Sequence, residues 1–253
     1  MRLIYRLLLI VVVLGSTACA SIEENDPSNW GAARYYEEAQ KALKQNNYET
    51  AIQYLESLEG QFPYDRHAEQ ARLDLAYVYY LHGETESAIA AADRFIKTHP
   101  LHDKVDYAYY LRGLALFDDK RKFLYETFNQ DPTHRNAEGA RQSFLYFAEL
   151  VRKYPDSEYS KDARQRMIHL RNRLAAYEVY VANFYLERDA FVAAANRGKY
   201  VVENFENTPA VADALVVLVK AYRKMGMDDL ANDSMRVLTL NYPQHPELLK
   251  IAQ

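Results

Sequence analysis

The chain has 253 residues and a mass of 29.4 kDa, enough for one large domain or two ordinary ones, and its 49% apolar and 26% charged residues exclude a disordered chain. With 31 Lys+Arg against 35 Asp+Glu and a net charge of -4, no basic excess exists to neutralise a phosphate backbone, which argues against nucleic-acid binding. Only 8 Gly and 8 Pro point to long elements and hence to helices, one Cys excludes a disulfide framework or a Cys-rich zinc site, and 22 Tyr against 10 Phe suit half-wet surfaces better than dry core.

Arg2 and Arg6 form a charged start, Leu7 to Leu14 is an unbroken apolar run, and small residues lead to Cys19. This is the layout of a secretory signal peptide, and the run falls far short of the roughly 20 residues that span a bilayer. The surroundings of Cys19 resemble a lipobox, with Thr17 and Ala18 before the Cys and Ser16 where Leu is usual. Ordinary cleavage after Ala20 is the competing reading, because Ala18-Cys19-Ala20 also fits the small-x-small rule. Ala20 is not Asp, which in the lipoprotein resemblance implies sorting to the outer membrane. Lipoproteins of this type carry three acyl chains, and several chains hold firmly where one anchors marginally. Residues 1–18 are therefore expected to be a signal peptide and 19–30 a lipid-anchored tether, since Ser21 to Asn29 is polar and without periodicity.

The rest of the chain repeats itself. Leu55 to Pro63, Ala92 to Pro100, Phe147 to Pro155 and Met235 to Pro243 are amphipathic tails that stop at an aromatic or His followed by Pro, which cannot continue a helix. Twelve residues before each Pro stands a small residue, Ala51, Ala88, Ser143 or Ala231. Turns precede three of them, at Asn46-Asn47-Tyr48, His82-Gly83-Glu84 and Met225-Gly226-Met227. Before each turn runs another helical pattern, with Ala39 and Ala42, Ala76 and Tyr79, Gly113 and Leu116, Ala182 and Tyr185, or Val219 and Tyr222 at equivalent places. A further second helix, Phe191 to Val201, has Ala194 as its small residue and a late stop at Pro209. Small residues let two antiparallel helices approach closely, and a pair that cannot bury its own apolar face must stack on the next. The Ala51–Ala88 and Ala194–Ala231 spacings of 37 lie near the 34 of a tetratricopeptide repeat (TPR). The expected fold is all-α, a superhelical array of five TPR-like helix pairs, repeats one to three over 31–159 and four and five over 160–253. A generic helical bundle with accidental likeness is the alternative.

Two places depart from the repeat. The third carries an insertion, Lys120 to Glu138, whose Phe123, Tyr125 and Phe128 argue against plain disorder. The fourth opens with a long helix, Ser160 to Glu187, predicted from a stripe at Ala163, Met167, Leu170, Leu174, Tyr177, Val181 and Phe184. Ser160 is its expected cap, with Asp162 at the positive end. Such a helix would join repeats one to three rigidly to four and five; a coiled-coil partner is the other use of a heptad stripe.

Enzyme chemistry finds no purchase. The 7 His make no H-E-x-x-H, no G-x-S-x-G elbow occurs, and Gly198-Lys199 lacks the rest of a P-loop. No cofactor, metal or catalytic residue is expected. Stacked pairs line their concave face with first helices. That face reads Tyr36 and Leu43, then Leu73, Tyr77 and Tyr80, then Tyr107, Tyr110, Leu114 and Phe117. These rings either anchor an extended peptide or pack between repeats.

The signal with its Cys, the five pairs, Leu111-Arg112-Gly113 before the insertion, Arg173-Leu174-Ala175 with Tyr177-Glu178 in the long helix, and Asn196-Arg197 together resemble the BamD family. These are lipoprotein subunits of the machinery that inserts β-barrel proteins into the bacterial outer membrane, and the likeness covers residues 19 to about 245. The resemblance implies a non-enzymatic scaffold, lipid-anchored at Cys19 on the periplasmic face of the outer membrane. It implies that the first repeats receive the aromatic-ended C-terminal strand of unfolded outer-membrane proteins. It further implies that the last repeats hold a POTRA domain of BamA, with Arg197 and Glu178 as the charged contact, and that BamC and BamE bind too. A periplasmic TPR adaptor for cell-wall or division proteins is the rival reading.

Overall fold

A computed structural model describes residues 26–117 and 137–251. Residues 1–18, Cys19, most of the 19–30 tether, and residues 120–136 of the insertion with Phe123, Tyr125 and Phe128 lie outside the described residues. After a 3-10 turn at Pro27–Asn29, the helices are α1 (Ala32–Lys44), α2 (Tyr48–Gln61), α3 (Arg66–His82), α4 (Thr85–Thr98), α5 (Val105–Leu116) and α6 (Ala137–Lys153). Then come α7 (Glu158–Leu186), α8 (Phe191–Asn204), α9 (Ala210–Lys224), α10 (Asp228–Asn241) and the short α11 (Leu248–Ile251). The described residues form helix pairs in two compact units, one ending at Thr98 and one beginning at His99.

Helix ends follow from the punctuation in the sequence. α2, α4, α6 and α10 each stop two residues before Pro63, Pro100, Pro155 and Pro243, because the residue before a Pro is driven out of the α region. Within pairs one, two, four and five the turn is built around a left-handed residue: Asn46 (φ 58°), Gly83 (φ 89°), Asp189 (φ 57°) and Gly226 (φ 70°). The next N–H then closes back on a carbonyl of the first helix: Asn47 on Ala42, Glu84 on Tyr79, Ala190 on Tyr185 and Met227 on Tyr222, all at 2.9–3.0 Å. This is the Schellman closure, and it satisfies carbonyls that the helix end would orphan. The recurrent Ala42, Tyr79, Tyr185 and Tyr222 are thus the residues whose carbonyls receive the turn.

The first unit shows what a pair buries. Ala32, Tyr35, Ala39 and Ala42 come round at steps of three and four on α1 and meet Ala51, Ile52, Leu55 and Leu58 of α2 and Ala68, Ala71, Leu75 and Val78 of α3 in one core. Trp30 seals its edge, its ring centre 5.4 Å from both Tyr35 and Tyr54. Asn47 and Asp65 cap α2 and α3 through side-chain oxygens on Thr50 and His67 N–H (3.3 and 2.8 Å).

In the second unit, pair three has no such turn among the described residues. α5 and α6 are held at the crossing itself, where Ser143 Oγ donates to the Gly113 carbonyl at 2.8 Å. Beside it the buried Arg112 lies over the rings of Tyr109 and Tyr146 (4.7 and 4.5 Å) and pairs with Glu149 at 2.6 Å. Lys153 joins the same group through Tyr109 OH (2.6 Å) and Glu149 (2.9 Å). A charge this deep is held by pairing and stacking together.

The long helix differs from expectation in two respects. It begins at Glu158 and its cap is Ser157, whose Oγ accepts from Tyr159 N–H at 3.2 Å; Ser160 is instead buried and donates to the Tyr154 carbonyl at 2.6 Å. Its buried face matches the predicted stripe at Ala163, Leu170 and Leu174, then moves to Ala175, Glu178, Val179 and Ala182, leaving Phe184 exposed. The reason is a change of neighbours and of period. The helix packs on α5 and α6, then on α8 and α9, and a 3.5-residue stripe drifts off a 3.6-residue helix over this length. α9 is apolar nearly all round and buried among α7, α8 and α10. α11 closes its open side through Lys220–Glu247 (3.0 Å) and a hydrogen bond from Arg223 to the Ile251 carbonyl.

Gly113 tests the crossing. A Cβ there would meet the Phe147 ring at 2.4 Å, whereas a Cβ on the helical Gly60 meets nothing within 4 Å. Gly113→Ala should therefore destabilise by about 1–3 kcal/mol while Gly60→Ala stabilises by about 0.4–1 kcal/mol. Denaturant unfolding of both variants checks this, and two changes of the same sign would contradict the packing.

Candidate functional site

The residues expected to bind partners fall on three surfaces. In the first unit Tyr36, Tyr77 and Tyr80 are all half-buried. Tyr36 packs against the core of its unit and gives its hydroxyl to Asp74 Oδ2 at 2.9 Å, so α1 is tied to α3. Gln40 and Gln70 donate to the same carboxylate at 2.7 and 2.6 Å, and the His67 ring lies 5.8 Å from Tyr36. Burial, and then the Asp74 charge, push the Tyr36 hydroxyl well above the usual phenol range. Tyr77 and Tyr80 lie one helical turn apart on α3 with ring centres at 6.5 Å. Leu73, expected on the same open face, is fully buried and offers nothing to a partner.

The second surface lies in the second unit. Tyr107 and Tyr110 of α5 each stand 5.1 Å from Tyr159 at the start of α7, the Tyr110–Tyr159 pair nearly parallel. The buried Phe147 lies beneath, 5.8 Å from Tyr110 and 6.2 Å from Phe117. Tyr110 donates its hydroxyl to Asp162 Oδ2, which also receives Arg166 Nε at 2.5 Å. Burial and the Asp162 hydrogen bond push the Tyr110 hydroxyl up to about 12. Burial alone would raise Asp162; the Tyr110 and Arg166 hydrogen bonds hold it below the usual carboxylate range. Arg166 lies over the Phe117 ring at 4.6 Å and His169 stands 5.7 Å from that ring.

The third surface joins the two residues expected at the contact with BamA. Glu178 of α7 is 5% exposed, and Arg197 of α8, 44% exposed, donates Nη1 to its Oε2 at 2.7 Å. A guanidinium has five N–H donors in a planar fork, so Arg197 can hold Glu178 and still offer an edge to solvent. Cys19 lies outside the described residues.

Reading one helix face at a time missed Asp74, Tyr159, Asp162 and Arg166 as members of these surfaces. Asp74 had a signal, a lone acid between Leu73 and Leu75 in an apolar stretch. Tyr159 and Arg166 had none, because their neighbours belong to another helix. No group of His, Cys, Asp or Glu among the described residues could hold a metal ion, and no described helix is long and apolar enough to cross a membrane.

The family described as YfiO, outer membrane lipoprotein, matches residues 29–238. The outer membrane protein assembly factor BamD of Neisseria meningitidis is 40% identical over 247 residues, 96% of this chain and 92% of its own. The protein of the same name from Vibrio cholerae is 36% identical over 209 residues, 83% and 87%. Against the solved structure of PilW, a type IV pilus biogenesis factor, the TM-score is 0.37 at 16% identity, over 88% of this chain and 98% of PilW. The helix-pair architecture rests on the geometry above and not on that last likeness.

The Arg197–Glu178 pair makes a direct test. Arg197→Met should cost about 1–3 kcal/mol by leaving a buried carboxylate unpaired, towards the lower figure because Arg197 is half in water. In a Glu178→Gln background the same change should cost less than about 1 kcal/mol. Equal costs in both backgrounds, from urea unfolding, would mean that the pair holds nothing.

Proposed function

We propose a function from one premise: the chain belongs to the BamD family of outer-membrane lipoproteins and serves in outer-membrane protein assembly. In our reading it is a scaffold that holds an unfolded barrel protein by its C-terminal strand and presents it to BamA. Each unit by itself offers such a strand an aromatic face on its first helices: Tyr36, Tyr77 and Tyr80 in the first, Tyr107, Tyr110 and Phe117 in the second. Arg197, with Glu178 behind it, meets an acidic group on a POTRA domain of BamA. BamC and BamE are the further lipoprotein partners. Acyl chains on Cys19 hold the scaffold to the periplasmic face of the outer membrane.

One observation carries the strand-binding reading. The six rings are neither fully buried nor fully exposed, and that of Tyr110 is fixed by its own hydroxyl on Asp162. A ring already fixed in place costs a partner little ordering entropy when it docks, which is what anchors of an extended peptide require. For Arg197 the support is its state: charged, half-exposed, and held in one direction by a buried partner. An orienting pair of this kind aims a guanidinium at a second carboxylate.

Two measurements test the proposal. Cys19→Ala should move the chain from the membrane to the soluble periplasmic fraction; retention in the membrane without BamA would place the anchor elsewhere. Tyr77→Ala and Tyr110→Ala should weaken an aromatic-ended strand peptide by about tenfold while leaving the affinity for BamA POTRA domains within error. Arg197→Ala should do the reverse. Arg197→Glu is the poorer probe, because it sets a second carboxylate against the buried Glu178 and threatens the fold. Loss of BamA binding in both Tyr variants, with melting unchanged, would contradict the two-surface assignment.

A further inference from the structure

Seven residue steps separate Cys19 from Asp26, and such a length of chain reaches at most about 25 Å. It meets the fold at one end of the first unit. Asp26 caps the 3-10 turn on Ser28 N–H at 3.0 Å, and Tyr35 gives its hydroxyl to the Pro27 carbonyl at 2.6 Å. Gln61, the last residue of α2, donates to the same Tyr35 oxygen at 3.1 Å, so the tether arrives beside the turn from α2 to α3. In that turn Tyr64 is fully exposed. Arg66, which opens α3, is exposed too, and its neighbour Asp65 is committed to His67 N–H at 2.8 Å. Next to the turn a cavity of about 500 Å³ opens between α2, α3 and α4, lined by Glu59, Gly60, Arg72, Ala90, Ala91 and Arg94 among others. Arg72 joins it to the turn by donating Nη2 to the Pro63 carbonyl at 3.0 Å. Arg72 and Arg94 both pair with Glu59 Oε1, at 3.3 and 3.1 Å, so two guanidiniums share one carboxylate. The Glu59 side chain is 18% exposed and that of Arg94 61%. A guanidinium that gives one edge to a shared carboxylate keeps donors for a second anion. Glu56, the other acid on the lining, accepts the Tyr79 hydroxyl. A Cβ on Gly60 would meet nothing within 4 Å, so the cavity has room beside its cations.

We propose that this end of the first unit is a lipid-surface contact: Arg94, with Arg72 behind it, takes the phosphate of an anionic phospholipid at the mouth of the cavity, and the Tyr64 ring enters the headgroup layer beside it. The inference rests on the reading that Cys19 is acylated, and adds that the fold itself touches the bilayer by one stated end. Three observations favour lipid as the occupant. The tether is short and enters here, so acyl chains on Cys19 hold this end near the membrane surface. A ring with a polar tip, standing alone in water, belongs at a membrane interface. A planar guanidinium matches a phosphate, and basic residues near an anionic leaflet are drawn to it. The anchor limits distance but leaves the unit free to turn, and a second contact removes that freedom. The opposite end of the pair, the turn at Gln45–Asn47, lies the length of α1 away, about 20 Å, and stays in water.

Two measurements on the full mature chain test this. In the first, acylated protein sits on vesicles of phosphatidylethanolamine with a minority of phosphatidylglycerol, their acyl chains brominated. The chain has one native Trp, so an added one reports its own position. Tyr64→Trp should be quenched beyond the wild type and Gln45→Trp should not; equal quenching at the two positions overturns the proposal. The second measures co-sedimentation of the anchorless Cys19→Ala chain with the same vesicles, unbrominated. Arg94→Gln in that chain should weaken binding about fivefold, the share of one basic residue at an anionic surface, and less on phosphatidylcholine, whose choline offsets each phosphate. Tyr64→Ser should weaken binding to both kinds of vesicle by roughly fivefold, as for an apolar side chain half withdrawn from water. Inorganic phosphate at constant ionic strength should leave the vesicles bound; their release would mean a free-phosphate site and contradict the lipid reading. No binding by the anchorless chain, or binding indifferent to both variants, overturns the proposal as well. Should Arg94→Gln melt early, Tyr64→Ser decides, because that side chain is fully exposed and its loss leaves the core untouched. The second measurement needs no acyl chain, so an unacylated Cys19 in the wild type would remove the anchor reading while anchorless binding of the expected pattern left the lipid contact standing.

Discussion

The close crossing of two helices at a residue with almost no side chain is the constraint on which the rest depends. Ala51, Ala88, Ala194 and Ala231 present nothing larger than a methyl group, and each of these residues is buried. At Gly113 not even a methyl fits. Small residues let the backbones approach, and the large residues that flank them, Leu55 and Leu58 or Phe147 and Leu150, are buried one or two turns away. They also set the length of the turn. In four pairs it needs one left-handed residue and one Schellman bond, and the second helix starts with its small residue already in the first turn. Pair three has the same crossing at Ser143 and Gly113 but holds it with the Arg112–Glu149–Lys153 group. There the buried Arg112, paired with the half-buried Glu149, ties α5 to α6.

The crossing is also what the sequence spells most clearly. Small residues twelve before a Pro, and helices that end two before it, are local facts that need no knowledge of neighbours. The same holds for Gly83 and Gly226, whose positive φ the sequence announces, and for Asn46, a residue type that tolerates it. What depended on the neighbour was read less well. Ser157 and Ser160 are equally good caps by type. The choice fell to Ser157 because Ser160 turns inward to the Tyr154 carbonyl. The stripe on α7 follows one face only while one set of helices lies against it, and it shifts where α8 and α9 take over.

The same division runs through the candidate surfaces. A Tyr on one face of a first helix is visible from spacing, and Tyr36, Tyr77, Tyr80, Tyr107 and Tyr110 are all half-buried. The groups that fix these rings were not visible. Asp74 binds Tyr36 across 38 residues and Asp162 binds Tyr110 across 52. Nothing local marks such a pair. These carboxylates hold the Tyr36 and Tyr110 hydroxyls from a neighbouring helix. Glu178 does for Arg197 what Asp162 does for Tyr110: a more buried carboxylate aims a more exposed group.

The most direct test of the account places a photo-crosslinking phenylalanine analogue at Tyr159, the ring that faces both Tyr107 and Tyr110, and irradiates cells making an outer-membrane barrel protein. The account predicts adducts that map to the last residues of the unfolded barrel chain and disappear when that chain lacks its terminal aromatic residue. Adducts confined to BamA, or adducts spread along the barrel chain with no loss on removing its end, would contradict it.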